Sequence, residues 1–383
     1  SLRSQNSMLF GLLERTDRME IAIPFTTGKS TWHITEQNNY VPYKAVLYKP
    51  IPFGVPLDQV TGWEFTNRIY FYDLWKDLAG DRVLIRSDNS DVQVQAFIDS
   101  NKLYVALNNL DDFDQPINMN MNGNLPAISN IRIKSLTIHP DADPDYTDQS
   151  FSTPLENYTL KKNETTLIEY TFSESIILDN TIKSERYYSS TYLQPIQADQ
   201  AINFNFNNIT TANSGYVTLA MSIGRKHNRS KSPIVMVNDV TVPVPSNWKG
   251  YNQLDRDDFF GAIEIPIPIN IIQKNNIISV TFPDSDGHIS SVVLNVESLN
   301  SAVLGIDEKQ TGSTKLKIYP NPNSGQVQIK GAKVGSMISV YSITGAKIFS
   351  SRYDKSSLNL EHLCNGLYFV TINNTTLKLI IKR

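Results

Sequence analysis

The sequence has 383 residues, a hydrophobic content of 40% and a formal net charge of −3. Its length suggests about two to four domains, and the lack of any run of about 18 apolar residues predicts no transmembrane helix. The single cysteine, Cys364, excludes an internal disulfide. Basic residues are concentrated in residues 315–383, but they are spread along predicted strands, so we expect no nucleic-acid partner.

Residues 1–83 are predicted to form an α/β segment. Residues 7–13 have apolar side chains at helical spacing, and the run MEIAIPF at residues 19–25 is typical of a short buried parallel strand. A second helix is predicted to end at Gly80, and Trp63 and Trp75 are expected to pack it against the next domain. The expected apolar faces consist of Met8, Leu9, Leu12 and Leu13 in the first helix, and of Ile69, Tyr72, Leu74 and Trp75 in the second.

The remaining residues are predicted to be mainly β-strands. VQVQAFIDSNKLYVALNNL indicates two strands joined by a turn, within a β-sandwich at residues 84–177. Six further strand-like runs predict a second sandwich or jelly roll at residues 178–298, and a polar linker at 299–314 precedes a small all-β domain at 315–383. The predicted fold class is therefore mainly β, with tandem β-sandwich or jelly-roll domains after an α/β segment.

The C-terminal domain carries a specific set of motifs. A YPNPNSG turn, the sequence NGLY and a terminal Lys-Arg pair lie among short strands. This pattern closely resembles the C-terminal sorting domain of type IX secretion substrates; the alternative is a small sandwich without a sorting role. The matching residues in this sequence include Tyr319, Pro320, Asn321, Pro322, Gly325, Gly345, Gly366, Tyr368, Lys382 and Arg383.

The sorting resemblance implies a protein that is secreted or placed at the cell surface, with the type IX secretion machinery as a partner. Pro320 and Pro322 would stiffen the turn, and Gly325 and Gly366 would adopt backbone conformations that other residues avoid. Export by this route also requires an N-terminal signal peptide, and none is recognisable in the sequence. We therefore expect the natural protein to begin upstream of Ser1.

The front of the chain carries a second resemblance. ERTDRMEIAIPFTTGKSTWH and the stretch FTNRIYFYDLWKDLAGDRVLIRSDNS resemble the final part of the catalytic region of glycoside hydrolase family 86, the β-agarases and β-porphyranases. In this family a (β/α)8 barrel precedes two β-sandwich domains. The resemblance implies that residues 1–83 supply helix 7, strand 8 and helix 8 of the barrel, and that residues 178–298 are a carbohydrate-binding-type jelly roll.

The implied activity is endo-hydrolysis of a red-algal galactan, agarose or porphyran. A retaining glycosidase needs two carboxylates at the scissile bond, and the resemblance places both of them before strand 8, upstream of this chain. No catalytic residue is therefore assigned, and the chain alone is predicted to be inactive; Glu36 is the only local carboxylate near the expected active-site face. The alternative function is that of a non-catalytic, secreted or cell-surface carbohydrate-binding or adhesive protein.

Five residues are candidates for contact with sugar. Lys29, Trp32 and His33 follow the predicted strand 8, at the face where barrel active sites lie. Trp248 and Tyr251 lie in a polar loop of the jelly roll. The alternatives are that Trp32 covers the barrel core and that Trp248 fills the core of its own sandwich. No cofactor or metal site is predicted.

Overall fold

The computed structural model describes residues 2–24, 28–121, 125–152, 158–178, 180–301, 316–342, 346–354, 357–372 and 375–383. The chain divides into two compact units, Ser1–Asn300 and Ser301–Arg383. Strands dominate both units, as the sequence predicts, and the described residues contain two α-helices. No helix in these ranges is long and apolar enough to cross a membrane.

The front of the first unit combines helices, turns and one hairpin. Its elements are α1 (Leu2–Leu13), short 3-10 turns at Thr31–His33, Glu36–Asn38 and Leu57–Gln59, the antiparallel strands β1 (Tyr48–Ile51) and β2 (Gly62–Phe65), and α2 (Ile69–Trp75). The two predicted helices are confirmed, but α2 ends at Trp75, several residues before Gly80.

The strand predicted at residues 19–25 is not formed by residues 19–24, and Phe25 lies outside the described residues. Residues 19–24 have irregular backbone, and Ile21 and Ile23 are largely exposed. A strand is stabilised by hydrogen bonds to neighbouring strands and by covered faces. The described residues provide neither at this position, so the apolar pattern alone does not produce a strand.

The next part of the first unit is a six-stranded antiparallel sheet. Its strands are β3 (Asp81–Val83), β4 (Val92–Asp99), β5 (Lys102–Asn109), β7 (Ile128–Thr137), β8 (Asp145–Phe151) and β10 (Glu164–Phe172), in the order β3-β4-β5-β10-β7-β8. The short strands β6 (Gln115–Ile117) and β9 (Tyr158–Leu160) form a separate pair. Because β3 pairs with β4, the predicted domain boundary at residue 83 lies inside this sheet.

Both faces of the central strands of the six-stranded sheet are buried. Along β5, Leu103 and Val105 pack on the side of β6 and β9, whereas Tyr104 and Ala106 pack on the side of the helices. Trp75 contributes to the helix side, as predicted, and meets Phe10 of α1 edge to face at 5.6 Å between ring centroids. The sheet thus forms the middle layer between the two helices and the short strand pair.

Helix α1 is docked through a face that the sequence pattern predicted only in part, since Leu13 is buried and Leu9 is partly buried, as expected. Its buried residues are Asn6, Phe10 and Leu13, whereas Met8 and Leu12 are exposed. Asn6 Nδ2 donates to Thr165 Oγ1 at 2.9 Å, and Asn6 Oδ1 accepts from Trp75 Nε1 at 2.9 Å. The polar Asn6 is therefore central to the docking of α1, since both of its amide atoms have buried partners.

The rest of the first unit is a sandwich of two facing antiparallel sheets. One sheet has the order β11-β19-β14-β17, with β12 beside β19, and the other has the order β13-β18-β15-β16. Inward residues of both sheets form one core, which confirms the predicted second sandwich. The strands are β11 (Asn180–Tyr188), β12 (Gln194–Pro195), β13 (Ile202–Phe206), β14 (Gly215–Lys226), β15 (Ile234–Val237), β16 (Val240–Val242), β17 (Asp258–Ile267), β18 (Asn276–Thr281) and β19 (His288–Ser301).

The second unit has its own core and two small sheets. One sheet has the order β20-β21-β24 and the other β23-β22-β25-β26. The strands are β20 (Lys317–Tyr319), β21 (Gln326–Lys330), β22 (Met337–Ser342), β23 (Lys347–Arg352), β24 (Leu358–Asn359), β25 (Gly366–Ile372) and β26 (Thr375–Ile381). This confirms the predicted all-β domain.

Candidate substrate surface and sorting signal

Trp32 lies in a compact turn before the β1–β2 hairpin. Trp32 and His33 occupy a 3-10 turn that follows Ser30, whose φ of 44° reverses the chain. Ile34 is buried beneath this turn, and the amides of Leu47 and Tyr48 both donate to the Gly28 carbonyl at 3.2 Å. The turn is thus fixed from below, which leaves Trp32 on the outside.

Trp32, His33 and Tyr43 form a cluster of three rings. The centroid distances are 5.5 Å for Trp32–His33, 5.8 Å for Trp32–Tyr43 and 5.6 Å for His33–Tyr43. His33 Nδ1 lies 3.0 Å from the Val41 carbonyl oxygen. Because a carbonyl only accepts, Nδ1 carries the proton, and Nε2 of neutral His33 is an acceptor. The Trp32 side chain is 67% exposed, so this cluster presents an indole ring to solvent.

Lys29 belongs to a neighbouring contact. Its Nζ lies 4.8 Å from the centroid of the Trp63 ring, a cation–π distance. Trp63 is a residue of β2 and does not join the core that α2 shares with the six-stranded sheet, contrary to the sequence prediction. Glu36 is exposed in the next 3-10 turn.

Trp248 is not an exposed platform. Its side chain is 8% exposed, it belongs to the core of the jelly roll, and it meets Phe259 edge to face at 5.6 Å. Its Nε1 donates to the Lys231 carbonyl at 3.0 Å. The prediction of a sugar contact at Trp248 is therefore corrected, because the ring is the apolar filling of its sandwich. Tyr251 is half-buried, with the Arg256 guanidinium 5.8 Å from its ring centroid.

The loop around Trp248 instead joins the two sandwiches. Asp91, at the start of β4, is buried and accepts hydrogen bonds from the Gly250 amide at 2.6 Å and from Asn247 Nδ2 at 2.8 Å. Arg86 and Glu297 form an ion pair across the same junction at 3.1 Å. Sequence reasoning missed Asp91, because an Asp in a polar turn gives no indication of a partner more than 150 residues away.

The YPNPNSG turn is hydrogen-bonded to the last strand. Asn321 donates from Nδ2 to the Lys378 carbonyl at 2.7 Å and accepts from the Ile380 amide at 2.8 Å. Asn323 donates from Nδ2 to the Ile380 carbonyl at 2.8 Å, and its Oδ1 accepts from the Gly325 amide at 2.7 Å. The two Asn side chains thus replace a neighbouring strand along this part of β26.

Arg383 closes the same region. Its guanidinium donates to the carbonyls of Ser324 at 3.0 Å and Leu363 at 3.0 Å, and also to that of Glu361. The Lys382 amide donates to the Asn323 carbonyl at 2.8 Å, and the Lys382 side chain is exposed. The terminal Arg is therefore part of the fold of this domain, whereas the Lys382 ammonium remains at the surface.

The other residues of the sorting pattern have different environments. Gly325 has φ of 118°, and a Cβ there would lie 2.8 Å from the Glu361 Cα, so glycine is required. Gly366 has no positive φ, and a Cβ there would make ordinary contacts, so the expectation of a special backbone was wrong for it. Gly345 lies outside the described residues. Tyr319 is 45% exposed, and the Tyr368 hydroxyl donates to the Cys364 carbonyl at 2.9 Å.

Family models match three consecutive parts of the chain. The porphyranase β-sandwich domain 1 matches residues 91–194, the β-porphyranase A C-terminal domain matches residues 203–297, and the secretion system C-terminal sorting domain matches residues 317–383. A β-porphyranase of glycoside hydrolase family 86 from Bacteroides plebeius, BpGH86A, superimposes with a TM-score of 0.72 and 41% identity over 78% of this chain and 52% of that one. The chain is similar to about half of this family 86 enzyme.

Further relatives agree with this similarity. Beta-porphyranase A of Phocaeicola plebeius is 38% identical over 93% of this chain and 48% of its own length. Funoran endo-beta-hydrolase of Wenyingzhuangia aestuarii is 35% identical over 99% of this chain and 52% of its own length. The structure of BuGH86 with neoagarooctaose has a TM-score of 0.71 and 32% identity over 78% of this chain and 48% of that one.

The chain spans about half the length of the curated relatives it matches. Its sorting domain indicates secretion or a place at the cell surface by the type IX route.

Proposed function

We propose that this chain is part of a secreted, endo-acting hydrolase of red-algal galactans and that the Trp32 cluster contacts the polymer. Within this proposal, residues 1–83 complete a (β/α)8 barrel whose catalytic carboxylates lie outside this chain. Residues 84–177 and 178–298 are accessory sandwiches, and residues 315–383 direct export. The observation that carries the proposal is the exposed indole of Trp32 on a rigid turn.

The geometry of the cluster suits a sugar. An indole offers a flat apolar surface, which packs against the C–H face of a pyranose, while the ring itself has little conformational freedom to lose. His33 Nε2 supplies an acceptor beside the indole for a sugar hydroxyl, because the bond from Nδ1 to Val41 fixes the tautomer. Ligand sites commonly combine such an apolar surface with a few oriented polar groups.

The names of the relatives support the substrate class. Two act on porphyran or funoran by name, and one solved structure contains neoagarooctaose. Galactans of red algae are therefore the class of polymer that we assign to this chain. A non-catalytic binding protein would also use the Trp32 surface, and it would differ by having no associated hydrolysis.

The test is binding of neoagarooctaose and of a porphyran oligosaccharide to the 383-residue chain by calorimetry. Trp32→Ala should weaken binding by about three- to tenfold, which is the effect of losing one stacking ring. Phe113→Ala is the matched control, because Phe113 is an equally exposed aromatic residue, 67% exposed, on the first sandwich. Equal binding by the wild-type chain and Trp32→Ala would refute the proposed contact.

A further inference from the structure

The outer face of the sheet β11-β19-β14-β17 has a floor of small residues. Along β14, the odd-numbered residues from Val217 to Ile223 are buried in the core, so the even-numbered residues face outward. Three consecutive outward positions are Ala220, Ser222 and Gly224. Side chains directly opposite one another in antiparallel strands share a face, so the flanking strands β17 and β19 supply the two walls.

One wall carries an exposed ring. Phe260 of β17 is opposite Gly224 and is 62% exposed. A Cβ at Gly224 would lie 2.8 Å from the Phe260 ring, so the ring lies against the bare backbone of this glycine. One edge of the Phe260 ring thus covers Gly224, and the rest of the ring is exposed.

The position of Phe260 is fixed by its backbone. Its amide donates to Gln253 Oε1 at 3.1 Å, and its carbonyl accepts from Gln253 Nε2 at 2.6 Å. Gln253 is itself buried and holds a φ of 59°. The strained, buried Gln253 therefore holds Phe260 at the edge of the sheet.

The opposite wall is polar. His288 of β19 is opposite Gly224 from the other side and is exposed, and Ser291 is opposite Ser222. The backbones of β17 and β19 are two strand spacings apart, about 10 Å, and the Phe260 ring occupies the part of this trough above Gly224. A pyranose stacked on the exposed part of Phe260 would have His288 and Ser291 beside its hydroxyl groups.

The charges along this face are balanced. Lys226 is paired with Asp258 at 2.7 Å, and Lys249 with Glu264 at 2.6 Å. Pairing of these cations with carboxylates removes the main attraction for a sulfate group. The face thus matches a ligand that is polar but uncharged.

We propose that the trough formed by Phe260, Gly224 and His288 is a binding site for an unsulfated segment of galactan, separate from the Trp32 cluster. This inference rests on the proposed function for the class of polymer, but it uses residues that the proposed function does not. Such a site would hold the jelly roll on the polymer and raise the effective concentration of the chain at its substrate.

A purely structural role for Phe260 is the competing explanation. Aromatic side chains stabilise glycines in sheets by covering them, and this role needs apolar cover but no flat ring. Phe260→Leu therefore separates the two roles, because leucine retains the cover over Gly224 and lacks an aromatic face. Phe260→Tyr is the conservative variant that retains the ring.

The experiment is calorimetric titration of the 383-residue chain with neoagarooctaose and with a sulfated porphyran oligosaccharide of the same length. The wild-type chain should bind neoagarooctaose at two sites. Phe260→Leu should keep the melting temperature and bind neoagarooctaose about three- to tenfold more weakly at one of them. Phe260→Tyr should bind as the wild type does, and the site that Phe260→Leu weakens should prefer the unsulfated ligand.

The outcomes for the two sites are distinguishable. Loss of one site in Trp32→Ala with no change in Phe260→Leu would overturn this inference and leave the proposed function intact. Loss of one site in Phe260→Leu with no change in Trp32→Ala would refute the proposed Trp32 contact and leave this inference intact. A lower melting temperature with unchanged affinity in Phe260→Leu would show that Phe260 contributes to stability alone and would overturn the inference. Tighter binding of the sulfated ligand at the Phe260 site would refute the assignment of an unsulfated ligand.

Discussion

Replacing Trp248 by alanine should unfold the jelly roll far more readily and should leave the Trp32 cluster intact. Trp248 is 8% exposed, lies edge-on to Phe259 and donates its Nε1–H to the Lys231 carbonyl. Its packing is tight, since a Cβ at Gly261 would lie 3.1 Å from Trp248 Cε3. Truncation of a buried tryptophan costs about 3–5 kcal/mol, because a cavity replaces its contacts.

The appropriate assay is hydrogen exchange measured by mass spectrometry, because it reports on each sandwich separately. A loss of about 3–5 kcal/mol corresponds to exchange faster by a factor of about 10² to 10⁴ in β14, β17 and β18, if these strands open with the whole sandwich. Trp248→Phe retains one aromatic ring but loses the N–H and part of the indole volume, so its cost should be smaller, about 1–3 kcal/mol. Protection in β5 and β10 of the first sandwich should change much less.

Two results would refute this reasoning. If Trp248→Ala exchanged like the wild-type chain, the ring would contribute little to the core. If Trp248→Phe cost as much as Trp248→Ala, the hydrogen bond to the Lys231 carbonyl would be the important contact, and the packing argument would fail.

Three other predictions concern the front, the core sheet and the sorting domain. Helix α1 should exchange as slowly as β4, on which it packs, whereas residues 19–24 should exchange fast; fast exchange in α1 would contradict the docking through Asn6. The hydrogen bond from Lys134 is the main reason that the pKa of Asp77 is lowered from 3.8. This interaction therefore stabilises the fold above about pH 4, and the stabilisation is lost as pH falls through the lowered pKa of Asp77. Asp77→Asn should therefore flatten the acid part of a profile of stability against pH. An unchanged profile would exclude a contribution of Asp77 to acid unfolding. Arg383→Ala should destabilise the sorting domain by about 1 kcal/mol through lost hydrogen bonds, seen as faster exchange in β26, and Arg383→Lys should restore only part of it; full restoration would show that charge alone matters.

Much of the strand content was accessible from the sequence because strand signals are local. Alternating side chains in QAINFNFNNI and GYVTLAMSIG follow the period of two that a half-buried strand requires, and both runs are strands in the structure. The sorting motif was also recognisable, since its Pro, Asn and Gly residues serve a turn whose geometry depends on those residue types. Asn321 and Asn323 show why, because each uses its side chain to bind the backbone of β26.

The apolar run at residues 19–25 shows the limit of such signals. The pattern predicts a strand, but a strand also needs partners that supply hydrogen bonds, and residues 19–24 have none among the described residues. Periodicity also assigned the face of α1 only in part, because Met8 and Leu12 are exposed. Asn6 is buried in the docked face instead, since Thr165 and Trp75 satisfy its amide.

By itself, the sequence determined the predominance of β-strands, the family resemblance and the sorting signal, since these depend on local patterns of residue type. Only the tertiary structure decided which aromatic rings reach the surface. Trp32 and Trp248 both lie in polar stretches of sequence, yet Trp32 is exposed and Trp248 is buried. Phe260 was not a candidate from sequence at all, because its exposure depends on Gly224 in another strand and on Gln253 in the preceding loop. Burial is a property of what packs against a side chain, and those partners are distant in the chain.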